Sequence, residues 1–192
     1  MTSEVTMETA AAFAANIAVE AGDAMEAAFS SARSGDRDGA MEMAREAVTK
    51  ALLAKKALAT VLHAQTSAAT QLQSRVALGH VEDARLFAKA AMDVSRSFAR
   101  RISDKGGGEA GKKSAETLAY LMAAASTLLE IKRGGFADNA VRKVAMAAER
   151  AGMMAEEAIK LGGPHADDAK ASKETASEIA RRALYAARET LK

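Results

Sequence analysis

Ser34-Gly35-Asp36-Arg37-Asp38-Gly39-Ala40 and Gly134-Gly135-Phe136-Ala137-Asp138-Asn139-Ala140 are the two stretches on which the fold is read. Each follows an Ala/Leu-rich run that ends in Arg33 or Arg133, and each opens a new long run. Glycine ends a helix readily, and a short acidic side chain starts the next one, so each stretch reads as a helix-turn-helix break. A related break follows in each half. The first is Leu78-Gly79-His80-Val81-Glu82-Asp83-Ala84, and the second is Leu161-Gly162-Gly163-Pro164-His165-Ala166-Asp167-Asp168-Ala169.

Between these breaks the chain is written almost wholly in strong helix formers. About a quarter of its 192 residues are alanine, with Leu, Met, Glu, Lys and Arg supplying much of the rest. Such side chains lose little rotamer freedom in a helix. β-Branched residues never cluster in alternating runs, so no strand is expected. The expected fold is all-α, an antiparallel bundle of about six helices in two three-helix halves that resemble an internal duplication. The expected halves are residues 1–104 and 114–192, with a Gly-rich linker over 105–113.

The expected helices run from about Glu4 to Ala32, from Gly39 to about Leu78, from Glu82 to Ser103, from Ser114 to Lys132, from Asp138 to Leu161, and from Ala166 onward. The second is read as one continuous helix, because Ala44, Val48, Ala51, Leu58, Leu62, Gln65, Ala69, Leu72 and Val76 keep spacings of three and four. A kink near Thr66 is the alternative. Gly35 and Gly79 lie farther apart than Gly135 and Gly163 by about sixteen residues, or about 24 Å of helix. The middle helix of the first half should therefore overhang, presenting Val61, Leu62, Gln65, Ala69, Leu72 and Val76 as an interaction surface.

Charge and cysteine content narrow the class. The formal net charge is +2, which favours no partner by sign, and there is no cysteine for a disulfide or thiolate metal site. The first 32 residues carry five acids and no Lys or Arg, so no basic leader is read and a cytoplasmic protein is expected. No apolar stretch reaches transmembrane length. One segment is locally basic, through Arg96, Arg100, Arg101, Lys105, Lys112 and Lys113. It reads as a solvated or internally docked face, or as a surface for an acidic or nucleic-acid partner.

Motifs that could carry chemistry are sparse. Gly106-Gly107-Gly108-Glu109-Ala110-Gly111-Lys112-Lys113 approaches a phosphate-binding loop, yet Lys113 stands where Ser or Thr is required and a helix precedes it. His80 lies near Glu82 and Asp83, and His165 near Asp167 and Asp168, but no His-x-x-x-His or Glu-x-x-His pair joins them. No nucleophile elbow is present. No catalytic residue, metal or cofactor is therefore assigned. Met41, Met43, Met122, Met146, Met153 and Met154 lie on apolar stripes, as gap-fillers or as an adaptable partner groove.

Two resemblances arise from short patterns. Ala40, Ala44, Ala47 and Ala84, Ala88, Ala91 resemble the small-residue face of the second helix of a tetratricopeptide repeat. The repeat's first-helix pattern and closing proline are missing, so that family is not assigned. Arg75-Val76-Ala77-Leu78-Gly79-His80 resembles the Arg-x4-His motif of the HEPN superfamily of helical, often dimeric ribonucleases. That resemblance implies an RNA-acting site at Arg75 and His80, although Val76 stands where the family is commonly polar. The leading functional expectation is a non-enzymatic interaction or scaffolding protein that binds a partner protein or itself through Ala/Met-rich helix faces. The RNA-acting enzyme and an amphipathic protein of lipid or granule surfaces are the alternatives.

Overall fold

The computed structural model describes residues 2–62, 68–134 and 139–190, with side chains over 9–59, 74–134 and 139–185. The fold is all-helical, with six helices that pack on one another and no strand among the described residues. They are α1 (Thr2–Ser34), α2 (Arg37–Leu62), α3 (Ala68–Ser103), α4 (Gly108–Lys132), α5 (Ala140–Leu161) and α6 (Pro164–Thr190). No described helix is long and apolar enough to cross a membrane.

Turn chemistry places the breaks. Gly35 ends α1 at φ 85°, and Asp36 opens α2 by accepting the Gly39 N–H on Oδ1 at 2.9 Å. Gly162 ends α5 at φ 74°, and Pro164 starts α6, where its missing N–H has no intrahelical role. Of the Gly134–Ala140 stretch, residues 135–138 lie outside the described residues.

α1, α2 and α3 pack mutually, as do α4, α5 and α6. α3 joins the two sets through α6 and α4, and α1 touches α4. All six helices feed one apolar cluster, centred on Met25, Phe87, Leu121, Leu128, Val144 and Ile179. Alanine supplies most of the remaining core. Small side chains bury little area each, so stability has to come from long, close contacts.

The α3–α6 seam is polar and antiparallel. Asp83 meets Arg182, Lys89 meets Glu178 at 2.6 Å, Asp93 accepts from the Thr175 hydroxyl at 2.6 Å, and Arg100 meets Asp168 at 2.5 Å. Numbering rises on one helix as it falls on the other, which fixes their register. Burial pushes the Asp93 carboxyl upward, against the pull of the Thr175 hydrogen bond.

Several expectations are corrected. α2 does not continue to Leu78; it ends at Leu62, and α3 lies packed beside it. Residues 63–67, which include Gln65 and the suspected kink at Thr66, lie outside the described residues. Gly79-His80 is not a break either, because α3 runs through it. A single helical glycine costs only about 1 kcal/mol relative to alanine. Here its bareness makes room, since a Cβ at Gly79 would stand 2.6 Å from Arg182 Nη2. Glu82 and Asp83, expected at the start of the third helix, lie inside α3 and pair with Arg85 and Arg182. The extra length of the first set accordingly falls mostly in α1 and α3, of 33 and 36 residues against 25 and 27 in α4 and α6, and less in the middle helix. Finally, α4 starts at Gly108, so the segment from Gly108 to Lys113 is helical and Ser114 is a buried interior residue, not a cap.

Candidate functional site: a cleft at the ends of α1 and α3

A cavity of about 820 Å³ lies where the last turns of α1 and α3 meet α4. α1 contributes Phe29, Ala32 and Arg33; α3 contributes Ser97, Phe98, Arg101 and Ile102; Gly35 and Gly106, just past the ends of these two helices, complete the lining on that side. From α4 come Leu118 and Met122, with Ala115, Ala119 and Ala123 at intervals of four. Side chains four apart share one helix face. A face made of alanine leaves unfilled the space that larger residues would occupy. Leu118 and Met122 are buried, Phe29 and Phe98 are half-buried, and Ala119 and Ala123 are exposed. The lining is therefore apolar and open to solvent on one side.

Three polar groups stand in this lining besides Ser126 on α4. Arg33 and Arg101 occupy the last turns of their helices, where the carbonyl ends favour cations. The Arg33 guanidinium lies over the Phe29 ring, 5.9 Å from its centroid. Arg101 is exposed and has no ion-pair partner among the described residues. Ser97 is buried, and its Oγ has no hydrogen-bond partner. Ser97 and Arg101 are one helical turn apart on α3 and face the same space.

The basic segment that looked continuous in sequence is divided by the fold. Arg96 pairs with Asp93 at 3.4 Å, Arg100 with Asp168, Lys112 with Glu109 at 3.7 Å, and Lys113 with Glu157 at 2.8 Å. The Glu157 hydrogen bond, and then its charge and that of Glu116, raise the Lys113 ammonium above its ordinary range. Lys105 is exposed in the α3–α4 turn at φ 48°. Arg101 is the member of the set that lines the cleft.

The Gly-rich segment forms no phosphate cradle. Helices flank it on both sides, and its turn wraps the His165 ring: a Cβ at Gly107 would collide with the imidazole. His165 is buried, with Nε2 3.3 Å from Asp104 Oδ2. Asp168, which the sequence sets beside it, is drawn to Arg100. His80 is half-buried on α3, and its Nδ1 has no hydrogen-bond partner. Burial, with help from the nearby Lys132 charge, lowers its imidazole from the usual 6.5 to about 4. Arg75 is exposed on the same helix. Five residues on a continuous helix separate two side chains by about 140° around the axis, so Arg75 and His80 leave α3 on different faces. No group of three or more His, Asp or Glu among the described residues could hold a metal ion.

Of the expected interaction surface, Val76 is exposed on α3, while the side chains of Val61, Leu62, Gln65, Ala69 and Leu72 lie outside the described residues. Sequence reasoning touched the cleft at Arg101 and Met122 but missed Phe29, Arg33, Ser97 and Leu118. The Ala115–Ala119–Ala123 row is the local signal that was present; its meaning depends on which helices flank it. Compared with known proteins, the chain matches no protein family, no curated protein and no solved structure.

Proposed function

We propose that this is a non-enzymatic binding protein whose recognition site is the cleft between α1, α3 and α4. The observation that carries the reading is the cleft itself: about 820 Å³, lined mainly by apolar side chains, with a few polar groups converging on it. Small-molecule sites have this size and this mixture. No charged pair or nucleophile in the lining is arranged for bond-making, so the role is recognition. The test is binding of a neutral, environment-sensitive apolar dye such as N-phenylnaphthylamine. Saturable fluorescence enhancement is expected, and Ala119→Trp, which fills the open face, should abolish it while the helical content and melting temperature hold. Enhancement that is absent, or that Ala119→Trp leaves untouched, would remove the cleft as the site.

A second reading is association with another copy of the chain, favoured by a different observation. Lys132, the last residue of α4, reaches Asp83, so the part of α3 before this level projects past α4. Val76 and Leu78 on this part are exposed, as are Leu52 and Leu53 on α2 and Phe13 on α1, all remote from the Gly35 turn. Pairing of two such ends would bury them, and a net charge of +2 offers little repulsion. Light scattering across a concentration series should show a dimer that Leu78→Glu dissociates; a monomer at all concentrations ends this reading.

A further inference from the structure

We infer that the cleft is built for a carboxylate amphiphile, one carboxylate head on a single unbranched apolar tail; this rests on the cleft being a binding site. The head position follows from α3. Ser97 presents a buried hydroxyl with no partner among the described residues, and Arg101, one turn further on, presents an exposed guanidinium with no ion-pair partner among them. A carboxylate set between them accepts from the Ser97 Oγ–H on its inner side and from the Arg101 fork on its outer side. Guanidinium and carboxylate match in geometry, and a charge-assisted bond of this kind is stronger than a neutral one. Leaving a buried hydroxyl unbonded is costly, so a ligand that supplies an acceptor there gains twice. Arg33, from the last turn of α1, adds a second positive charge to the lining.

The tail position follows from α4 and the aromatic rings. Leu118 and Met122 form the floor and Phe29 and Phe98 the flanks, with no acid in the lining. A cationic or zwitterionic head is therefore unmatched at the mouth, and a ligand with no head leaves Ser97 and Arg101 as they are. Met122 adapts its shape to a flexible chain better than a branched residue would.

The test displaces N-phenylnaphthylamine from the full chain at low salt, using decanoate, decanol, decyl phosphate and decyltrimethylammonium below their micelle concentrations. Decanoate should displace the dye at about tenfold lower concentration than decanol, in line with one charge-assisted bond, and the cation should be the weakest. Arg101→Gln, on an exposed side chain with no ion-pair partner among the described residues, should erase the difference between acid and alcohol. Ser97→Ala should weaken decanoate several-fold without lowering the melting temperature. Equal displacement by acid and alcohol, or a preference for the acid that survives Arg101→Gln, would overturn the carboxylate assignment while the cleft reading stands. Stronger displacement by decyl phosphate would overturn it in favour of a phosphate head. Failure of the dye itself to bind would instead overturn the cleft reading beneath it.

Discussion

The Arg182 guanidinium of α6 holds both carboxylate oxygens of Asp83 on α3, with Nε 2.6 Å from Oδ1 and Nη2 3.2 Å from Oδ2. Asp83 is fully buried, and Lys132 of α4 reaches the same carboxylate at 2.6 Å. Three helices from the two sets thus converge on one acid. Removing it takes the shared carboxylate away from two largely buried cations. Asp83→Ala should cost about 3–5 kcal/mol, as breaking buried ion pairs does, read as a lower midpoint in urea unfolding.

His80 lies beside this cluster and should titrate abnormally. Its folded value of about 4 lies below the unfolded 6.5, so between these values the unfolded chain binds the proton and the folded chain does not. Stability therefore rises with pH across that window and falls as pH drops from 6.5 toward 4. The ring proton shifts of His80 should stay flat from pH 8 to 5.5, and His80→Gln should flatten the stability slope over the same range. A titration midpoint near 6.5 would show that burial and the Lys132 charge do not act on this ring.

Two helical glycines should respond to alanine with opposite signs. A Cβ at Gly22 on α1 would press deep into the Leu129 side chain of α4, well inside van der Waals contact. Gly22→Ala should therefore destabilise by about 1–3 kcal/mol, the usual cost of overpacking. At Gly152 on α5 the nearest atom is Lys173 Cε at 3.8 Å. Gly152→Ala should stabilise by about 0.5–1 kcal/mol through helix propensity. Paired thermal melts would check both signs at once.

Ser97 should separate folding from the proposed binding. Its buried Oγ has no hydrogen-bond partner among the described residues, so no bond from this hydroxyl supports the fold there. Ser97→Ala should leave stability unchanged or raise it by up to about 1 kcal/mol, since an unsatisfied buried group is removed. A loss of more than 1 kcal/mol in denaturant titration would mean that the hydroxyl holds the cleft wall together.

Composition and turn chemistry by themselves determined that this protein is helical, and where several helices end. Alanine-rich runs with no alternating β-branched pattern favour helix, and Gly35, Asp36, Gly162 and Pro164 act through their own backbone preferences, which need no distant partner. The same local logic failed at Gly79 and at Ser114. Gly79 stays helical while Arg182, about a hundred residues on, fills the space its missing side chain leaves, and Ser114 is buried inside a helix that starts six residues earlier. The continuous apolar seam from Ala44 to Val76 concealed the end of α2 at Leu62, because a face that packs inward keeps its spacing on both sides of a reversal. Tertiary structure alone decided the site. The charges that looked alike along the basic segment were sorted by long-range partners, with Asp168 taking Arg100 and Glu157 taking Lys113. Arg101 was left beside a cleft whose walls come from three helices. A cavity is a property of the gap between elements, and no single stretch of sequence encodes it.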